Sequence, residues 1–173
     1  NEVFGNTIEL QTRHTNDFAI LANGAKIYGN TINCGNGDNS CRGIAIGGND
    51  TIVYNNNVNV QELPRNQEYN VCEMAGAYGM QMEYDTHRLD VYNNTVTAYA
   101  GDCEAYAFRA NPYSSGTTNS TNNAVHDNTF VAIKNGTARA ATITAMAMKT
   151  ATRMRAATMI PGVAGVRMRT SAR

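Results

Sequence analysis

A short alternation of hydrophobic and polar residues recurs along the chain. In residues 26–32, KIYGNTI, a hydrophobe and an aromatic residue precede a small residue, an Asn, a Thr and a second hydrophobe. Such alternation predicts short β-strands with one buried face, broken by a Gly-Asn bend. Near-copies occupy residues 3–8, 53–58, 91–96 and 125–130. The Asn residues that recur at the bend are Asn6, Asn30, Asn56, Asn94 and Asn128.

A second alternating element follows each of the first four copies. It comprises residues 17–21, 43–47, 79–83 and 105–109, where large apolar residues alternate with small or polar ones, apart from Leu21. Each period therefore holds at least two short strands. Because the recurring Asn residues are 24, 26, 38 and 34 positions apart, the sequence predicts a repeat architecture in which coils stack and pair equivalent strands.

Stacked coils would place equivalent side chains in columns. The hydrophobes at the two ends of the repeat are expected to point inward as two apolar stacks: Val3, Ile27, Val53, Val91 and Val125, and Ile8, Ile32, Val58, Val96 and Phe130. An Asn amide can donate to and accept from the same residue in adjacent coils, and Asn tolerates left-handed backbone angles. We therefore expect the recurring Asn residues to form a structural ladder.

This repeat resembles that of the right-handed parallel β-helix family, whose superfamily includes pectate lyases, polygalacturonases and many exported repeat proteins of unknown activity. The resemblance rests on the copies of KIYGNTI and covers residues 1–133. It implies an all-β fold, a single-stranded right-handed parallel β-helix (solenoid) of about five coils. Since the repeat begins almost at residue 1, we expect a fragment of a longer protein with further domains.

Residues 134–173 depart from the repeat. They contain no acidic residue but eight of the 14 Lys and Arg residues. The part around Ile143 could complete the last coil, and the rest could be a helical cap or be disordered. A frameshift is another interpretation, because Asp-Gly-Asp codons read one base late encode Met or Thr followed by Ala, Val, Gly or Glu. Sequencing the encoding DNA distinguishes these interpretations.

Charge excludes one class of partner. Residues 1–127 contain all 14 acidic residues and only six basic ones, a net charge of −8. Nucleic acid binding needs a basic face, so we do not expect it. No stretch approaches the roughly 20 apolar residues of a membrane span, and membrane insertion is not expected either.

The four cysteines are expected to form disulfides. Cys34 and Cys41 flank a short loop, GNGDNS, that a disulfide could close, and Cys72 and Cys103 could pair between neighbouring coils. Four cysteines allow three connectivities, so the pairing stays open. Zinc binding is the alternative, although the sequence has no CxxC pair. Disulfides favour an exported protein, either secreted or at the cell surface.

Candidate catalytic groups concentrate in residues 83–90, EYDTHRLD. Glu83 and Asp85 would share an outward strand face. His87 follows at the next turn, and Arg109 would lie one coil from Glu83. Carboxylates with a His and an Arg are what a polysaccharide lyase or glycoside hydrolase needs, and the resemblance implies active sites on outer strand faces. The alternative is an ordinary salt bridge between Glu83 and Arg109.

A calcium site is a further hypothesis for the same face. Asp85, Asn49 and Asn111 are expected on successive coils, where their oxygen atoms could converge. No other metal or cofactor is expected.

Aromatic residues form another outward column. They are Phe4, Tyr28, Tyr54 and Tyr92, followed by His126. The column could offer a flat platform for sugar rings, or it could simply stabilise the stack of coils. Inserts at residues 61–72 and 111–123 could wall a groove or be tolerated surface insertions.

Three functions follow from these patterns. The first is an extracellular, noncatalytic module that contacts carbohydrate through the aromatic column. The second is a fragment of a polysaccharide lyase or glycoside hydrolase, and the third is a structural spacer or adhesin segment.

Overall fold

A computed structural model describes residues 1–11, 17–35, 41–62, 76–83, 86–101, 103–110, 121–134 and 137–148. These segments are all-β, with no helix among them, and so none of them contains a helix able to cross a membrane. The strands are β1 (Glu2–Phe4), β2 (Thr7–Leu10), β3 (Asp17–Asn23), β4 (Lys26–Tyr28), β5 (Thr31–Cys34), β6 (Cys41–Gly47), β7 (Ile52–Tyr54), β8 (Asn57–Glu62), β9 (Gly76–Met82), β10 (Asp90–Tyr92), β11 (Thr95–Ala100), β12 (Glu104–Ala110), β13 (Asn123–Lys134) and β14 (Thr137–Met148).

The repeat builds three parallel strand stacks. The first runs β1-β4-β7-β10-β13 and the second β2-β5-β8-β11-β13, so the long strand β13 joins both into one sheet. The third stack, β3-β6-β9-β12, is a separate sheet. Each KIYGNTI-like copy thus supplies two strands on either side of its bend, and the second alternating element supplies a third. This succession has the strand order that a β-helix-like solenoid requires.

The register confirms that equivalent residues lie side by side. Val3 pairs with Ile27, and Ile27 with Val53. On the second stack Ile32 pairs with Val58, and Val58 with Val96. Neighbouring parallel strands are about 4.8 Å apart, so the spacing along each column is fixed by backbone pairing.

The two apolar columns form the centre of the core, as the alternation predicted. From the second coil onward they are buried, and their members are Ile27, Val53, Val91, Val125, Ile32, Val58, Val96 and Phe130. The third stack adds Ile44, Ile46, Met80 and Met82 from the facing side. Burial of each such side chain stabilises the fold by about 1.5–3 kcal/mol before entropy costs, so the coils depend on contacts across all three stacks.

The recurring Asn residues form a continuous hydrogen-bonded ladder. The Nδ2 atom of Asn30 donates to Oδ1 of Asn56 at 2.9 Å, and the backbone N–H of Asn30 donates to the same oxygen at 3.1 Å. Asn56 repeats this arrangement with Asn94, and Asn94 repeats it with Asn128. Four members are at most 2 % exposed: Asn30, Asn56, Asn94 and Asn128.

The bend places the left-handed residue one position before the ladder. Positive φ values occur at Gly5 (64°), Gly29 (63°), Asn55 (55°), Asn93 (52°) and Asp127 (52°). The ladder Asn residues were expected to tolerate this conformation, but their predecessors adopt it. Gly, Asn and Asp are the residues that enter this region at the lowest cost, which explains the composition of that position.

The strand after β13 does not complete a fifth coil. β14 runs antiparallel to β13, with Ile143 opposite Asn128, whereas a strand completing the coil would lie parallel to β12. The segment is also a strand rather than the start of a helical cap. Residues 149–173 lie outside the described segments.

Replacing Asn56 by Ala should destabilise the protein strongly. The change removes the acceptor for Asn30 and the donor to the Ile27 carbonyl, which lies 2.9 Å from Nδ2 of Asn56. Each buried group left unsatisfied costs about 1–3 kcal/mol. We expect the free energy of unfolding, measured by urea denaturation, to fall by about 2–4 kcal/mol.

The matched control is Asn59→Ala in the same strand, at an exposed position. Its effect should stay within about 0.5 kcal/mol. Equal losses in the two variants would contradict a structural role specific to the ladder.

Candidate functional site

The aromatic column lies along the outer face of the first strand stack. Ring centroids are 5.0 Å apart between Phe4 and Tyr28, 4.9 Å between Tyr28 and Tyr54, and 5.1 Å between Tyr54 and Tyr92. The interplanar angles are 4–6°. His126 extends the stack at 5.2 Å from Tyr92.

This stacking changes what the column presents to solvent. The flat faces of the rings are turned toward one another, so neighbouring rings cover them. The three Tyr side chains are half-buried, and only Phe4, at the end of the column, is 56 % exposed. The surface therefore offers a row of ring edges and Tyr hydroxyl groups rather than a flat platform of ring faces.

Charged residues border the first coils of the column. The Tyr28 hydroxyl donates to Oε2 of Glu2 at 3.1 Å, and Lys26 Nζ lies 3.6 Å from Oε1 of the same residue. Partial burial, followed by the hydrogen bond to Glu2, raises the pKa of Tyr28. The hydroxyl therefore stays protonated and can donate or accept hydrogen bonds at neutral pH.

His126 at the other end is held between two carboxylates. Its Nε2 lies 3.0 Å from Oδ1 of Asp90, and its Nδ1 lies 2.8 Å from Oδ2 of Asp127. Both contacts are satisfied together when the imidazole carries two protons. The hydrogen bond to Asp127 is the main cause that raises the pKa of His126, and the bond to Asp90 adds to it.

The third strand stack has the expected register between β6 and β9, where Ile44 pairs with Met80, but a different one in its other two pairings. Arg109 pairs with Gln81 rather than lying opposite Glu83, and Leu21 pairs with Ala45 rather than with Gly47. An added Cβ at Gly79 would clash with Val96 and with the backbone of Ala107. In the observed register Tyr106 pairs with Tyr78 and Phe108 with Met80, so Ala107 is the equivalent of Gly79, two residues away from the expected position.

The register brings arginines and aromatic rings together on the same stack. The guanidinium of Arg42 lies 4.9 Å from the ring centroid of Phe18 and 5.3 Å from that of Tyr78. The guanidinium of Arg109 lies 5.2 Å from the centroids of both Tyr78 and Tyr106, which stack on each other. The sequence could have indicated this cluster, because Phe18, Arg42 and Tyr78 occupy equivalent positions, but the shifted alignment concealed it.

The described members of the EYDTHRLD segment each have structural contacts. Oε1 of Glu83 accepts a hydrogen bond from Nε2 of Gln81 at 2.8 Å. Nδ1 of His87 accepts from the backbone N–H of Thr121 at 3.2 Å, which ties two successive bends. Asp85 lies outside the described residues.

Arg88 joins two coils through a cross-coil ion pair. Its Nη2 donates to Oδ2 of Asp50 at 2.7 Å, and its Nε contacts the other carboxylate oxygen. This bond lowers the pKa of Asp50. Both residues have positive φ, 56° and 60°, and so they occupy equivalent bends of adjacent coils.

One predicted disulfide is confirmed. Cys34 and Cys41 are joined, with their Cα atoms 5.9 Å apart. Cys103 is also disulfide-bonded, and its predicted partner Cys72 lies outside the described residues. Cysteines paired in this way cannot serve as zinc ligands.

Several residues of the predicted metal site and of the two inserts lie outside the described segments. No cluster of three or more His, Cys, Asp and Glu side chains suited to a metal ion occurs within the described segments. Of the expected calcium ligands, Asp85 and Asn111 lie outside these segments. The same holds for residues 63–72 and 111–120 of the two inserts.

Comparison of the chain with protein-family models, with curated proteins and with solved structures gave no significant match.

The His126 clamp predicts a specific pH dependence. Because its pKa is raised in the folded state, His126 contributes stability that is complete below its unfolded pKa of about 6.5 and is lost as the pH rises through the folded value. Titration by NMR should give a pKa above 6.5. Asp127→Asn keeps a residue that tolerates the left-handed bend and should lower that pKa. A wild-type pKa at or below 6.5 would contradict the clamp.

Proposed function

We propose that residues 1–133 are a right-handed parallel β-helix of about five coils that acts as an exported, noncatalytic module contacting carbohydrate. The solenoid is supported by three parallel strand stacks, in which each strand pairs with the equivalent strand of the next repeat. Right-handedness agrees with the strong preference for right-handed connections between parallel strands of the same sheet. The observation that carries the functional part is the continuous row of aromatic edges and hydroxyl groups along five strands.

Export is supported by the disulfide chemistry. The Cys34–Cys41 bond closes a short loop, and Cys103 is bonded as well. Disulfides persist in oxidising compartments and are rare in reducing ones. An exported repeat protein meets polysaccharides outside the cell, which makes them a reasonable ligand class.

Carbohydrate contact is supported by the chemistry of the aromatic column. Tyr edges carry polarised C–H groups and a hydroxyl that donates and accepts hydrogen bonds. Sugar hydroxyls have the same dual capacity. The carboxylate of Glu2 beside Tyr28 adds an acceptor of the kind that commonly orients a sugar hydroxyl.

A noncatalytic role is supported by the contacts of the candidate acid and base. His87 uses Nδ1 as an acceptor for a backbone N–H, which ties that nitrogen to the fold. Arg109 lies over two Tyr rings and opposite Gln81, away from the register position of Glu83. General acid–base catalysis instead needs groups directed to a common reacting atom.

The proposal is tested by screening the full chain against neutral and acidic glycans, with binding measured by calorimetry. In the double variant Tyr28→Ala, Tyr54→Ala, two aromatic contacts are removed. At about 0.5–1.5 kcal/mol for each ring, affinity should fall about fivefold to 150-fold.

Two controls separate binding from folding. Leu21→Ala removes an exposed apolar side chain from the third stack and should leave affinity unchanged. Tyr28→Phe, Tyr54→Phe keeps the ring stack and removes only the hydroxyls. Undiminished binding in the alanine variant would eliminate the aromatic column as the site, and absence of glycan binding by the wild type would favour a spacer.

A further inference from the structure

The second strand stack carries an outer face of unusual composition. Its first outward column, one residue after the Asn ladder, is Thr7, Thr31, Asn57, Thr95 and Thr129, and all five are exposed. They lie in register on adjacent parallel strands. We call this column and its outward neighbours two residues further along each strand the Thr/Asn face.

Strand preference alone does not explain this face. Thr is favoured in strands, so strand formation alone explains the four Thr residues of the first column. Asn is depleted in strands, yet the central strand β8 places two there, Asn57 and Asn59, both exposed. Neither is needed for the core, because the alternating residues Val58 and Val60 fill it. Exposed amides at the middle of the sheet indicate a surface with a binding role.

The charge of the face restricts the ligand class. The second column runs through Asn33, Asn59 and Thr97 between Glu9 and Val131, so the two columns hold one charged residue. The first 127 residues as a whole carry a net charge of −8. A charged ligand would gain little from such a face, whereas hydroxyl and amide groups that both donate and accept match a neutral, hydroxyl-rich ligand.

The spacing of the face is compatible with a periodic ligand. Its residues repeat about every 4.8 Å along the stack of coils, and the aromatic rings across the bend repeat every 4.9–5.2 Å. Two positions lie between the two columns, the exposed left-handed residue and the buried ladder Asn, as at Asn93 and Asn94 between Tyr92 and Thr95. A polymer whose units are about as long as this spacing could contact every coil in the same way.

We propose that the Thr/Asn face and the adjacent aromatic column together bind an extended neutral polysaccharide that runs along the stack of coils, with about one sugar residue for each coil. This inference rests on the proposed carbohydrate-binding function and specifies its ligand class and direction. Thr and Asn side chains hydrogen-bond the sugar hydroxyls, and the aromatic edges pack against one side of the chain.

The test uses the full chain with linear neutral β-glucan and chitin oligosaccharides of increasing length, measured by calorimetry. Affinity should rise with each added residue up to about five and then level off. Asn57→Lys places a long charged side chain in the centre of the face and should weaken binding at least tenfold. Asn57→Thr restores the residue type of the neighbouring coils and should bind as the wild type does.

Leu21→Lys is the matched control, since it adds the same charge at an exposed position of the third stack. The inference is overturned if glycans bind but Asn57→Lys and Leu21→Lys have equal affinity, or if affinity is independent of length. Tighter binding of uronate-containing polymers than of neutral ones would also overturn it. If no glycan binds, the proposed function itself fails, and a wild type that adsorbs to ice crystals instead would identify the face as a water-ordering surface.

Discussion

The fold depends on how it satisfies the polar groups at the bend between the first and second strand stacks. Each coil turns between the first and second strand stacks at a position surrounded by buried Val and Ile side chains, where water does not reach. A buried backbone N–H or carbonyl without a partner costs about as much as a core side chain gains. The Asn ladder removes this cost, because each amide oxygen accepts two bonds from the preceding coil and each Nδ2 reaches back to a carbonyl such as that of Ile27.

This chemistry explains why the position is Asn and gives the ladder a direction. An Asp at Asn56 would lack the Nδ2 donor, and a Gln would place its amide one methylene too far from the bend. In every ladder bond the Nδ2 of one Asn donates to the Oδ1 of the next ladder Asn along the sequence. Each Asn is therefore oriented by its neighbours on both sides, which fixes the alignment of the coils and, with it, every column on the outer faces.

The parts of the structure that repeat with constant chemistry could be predicted from the sequence. The ladder and the inward columns are examples, since each is set by one residue type at one place in the repeat. The third stack could not be aligned from alternation alone. Small residues at 77, 79, 105 and 107 allow more than one alignment of β9 with β12, and the observed one pairs Tyr78 with Tyr106.

The aromatic column shows a similar limit at the level of the site. Its membership follows from the repeat, because Tyr28, Tyr54 and Tyr92 occupy the same position. The orientation of the rings does not follow from the repeat. It results from each ring packing on the next at the distance that strand pairing imposes. The contact of Arg42 with Phe18 was concealed for the related reason that it depends on the register between β3 and β6.

Strand spacing thus links stability and recognition in this fold. The backbone spacing that lets amides bond in series also makes every outward column a row with the same interval, whatever side chains it carries. Substitutions at outward positions change the chemistry of a row without changing its geometry, because the ladder and core hold the coils in place. A solenoid of this kind is therefore suited to ligands that repeat, and the exposed amides of β8 are the positions where its chemistry departs most from what a strand alone would favour.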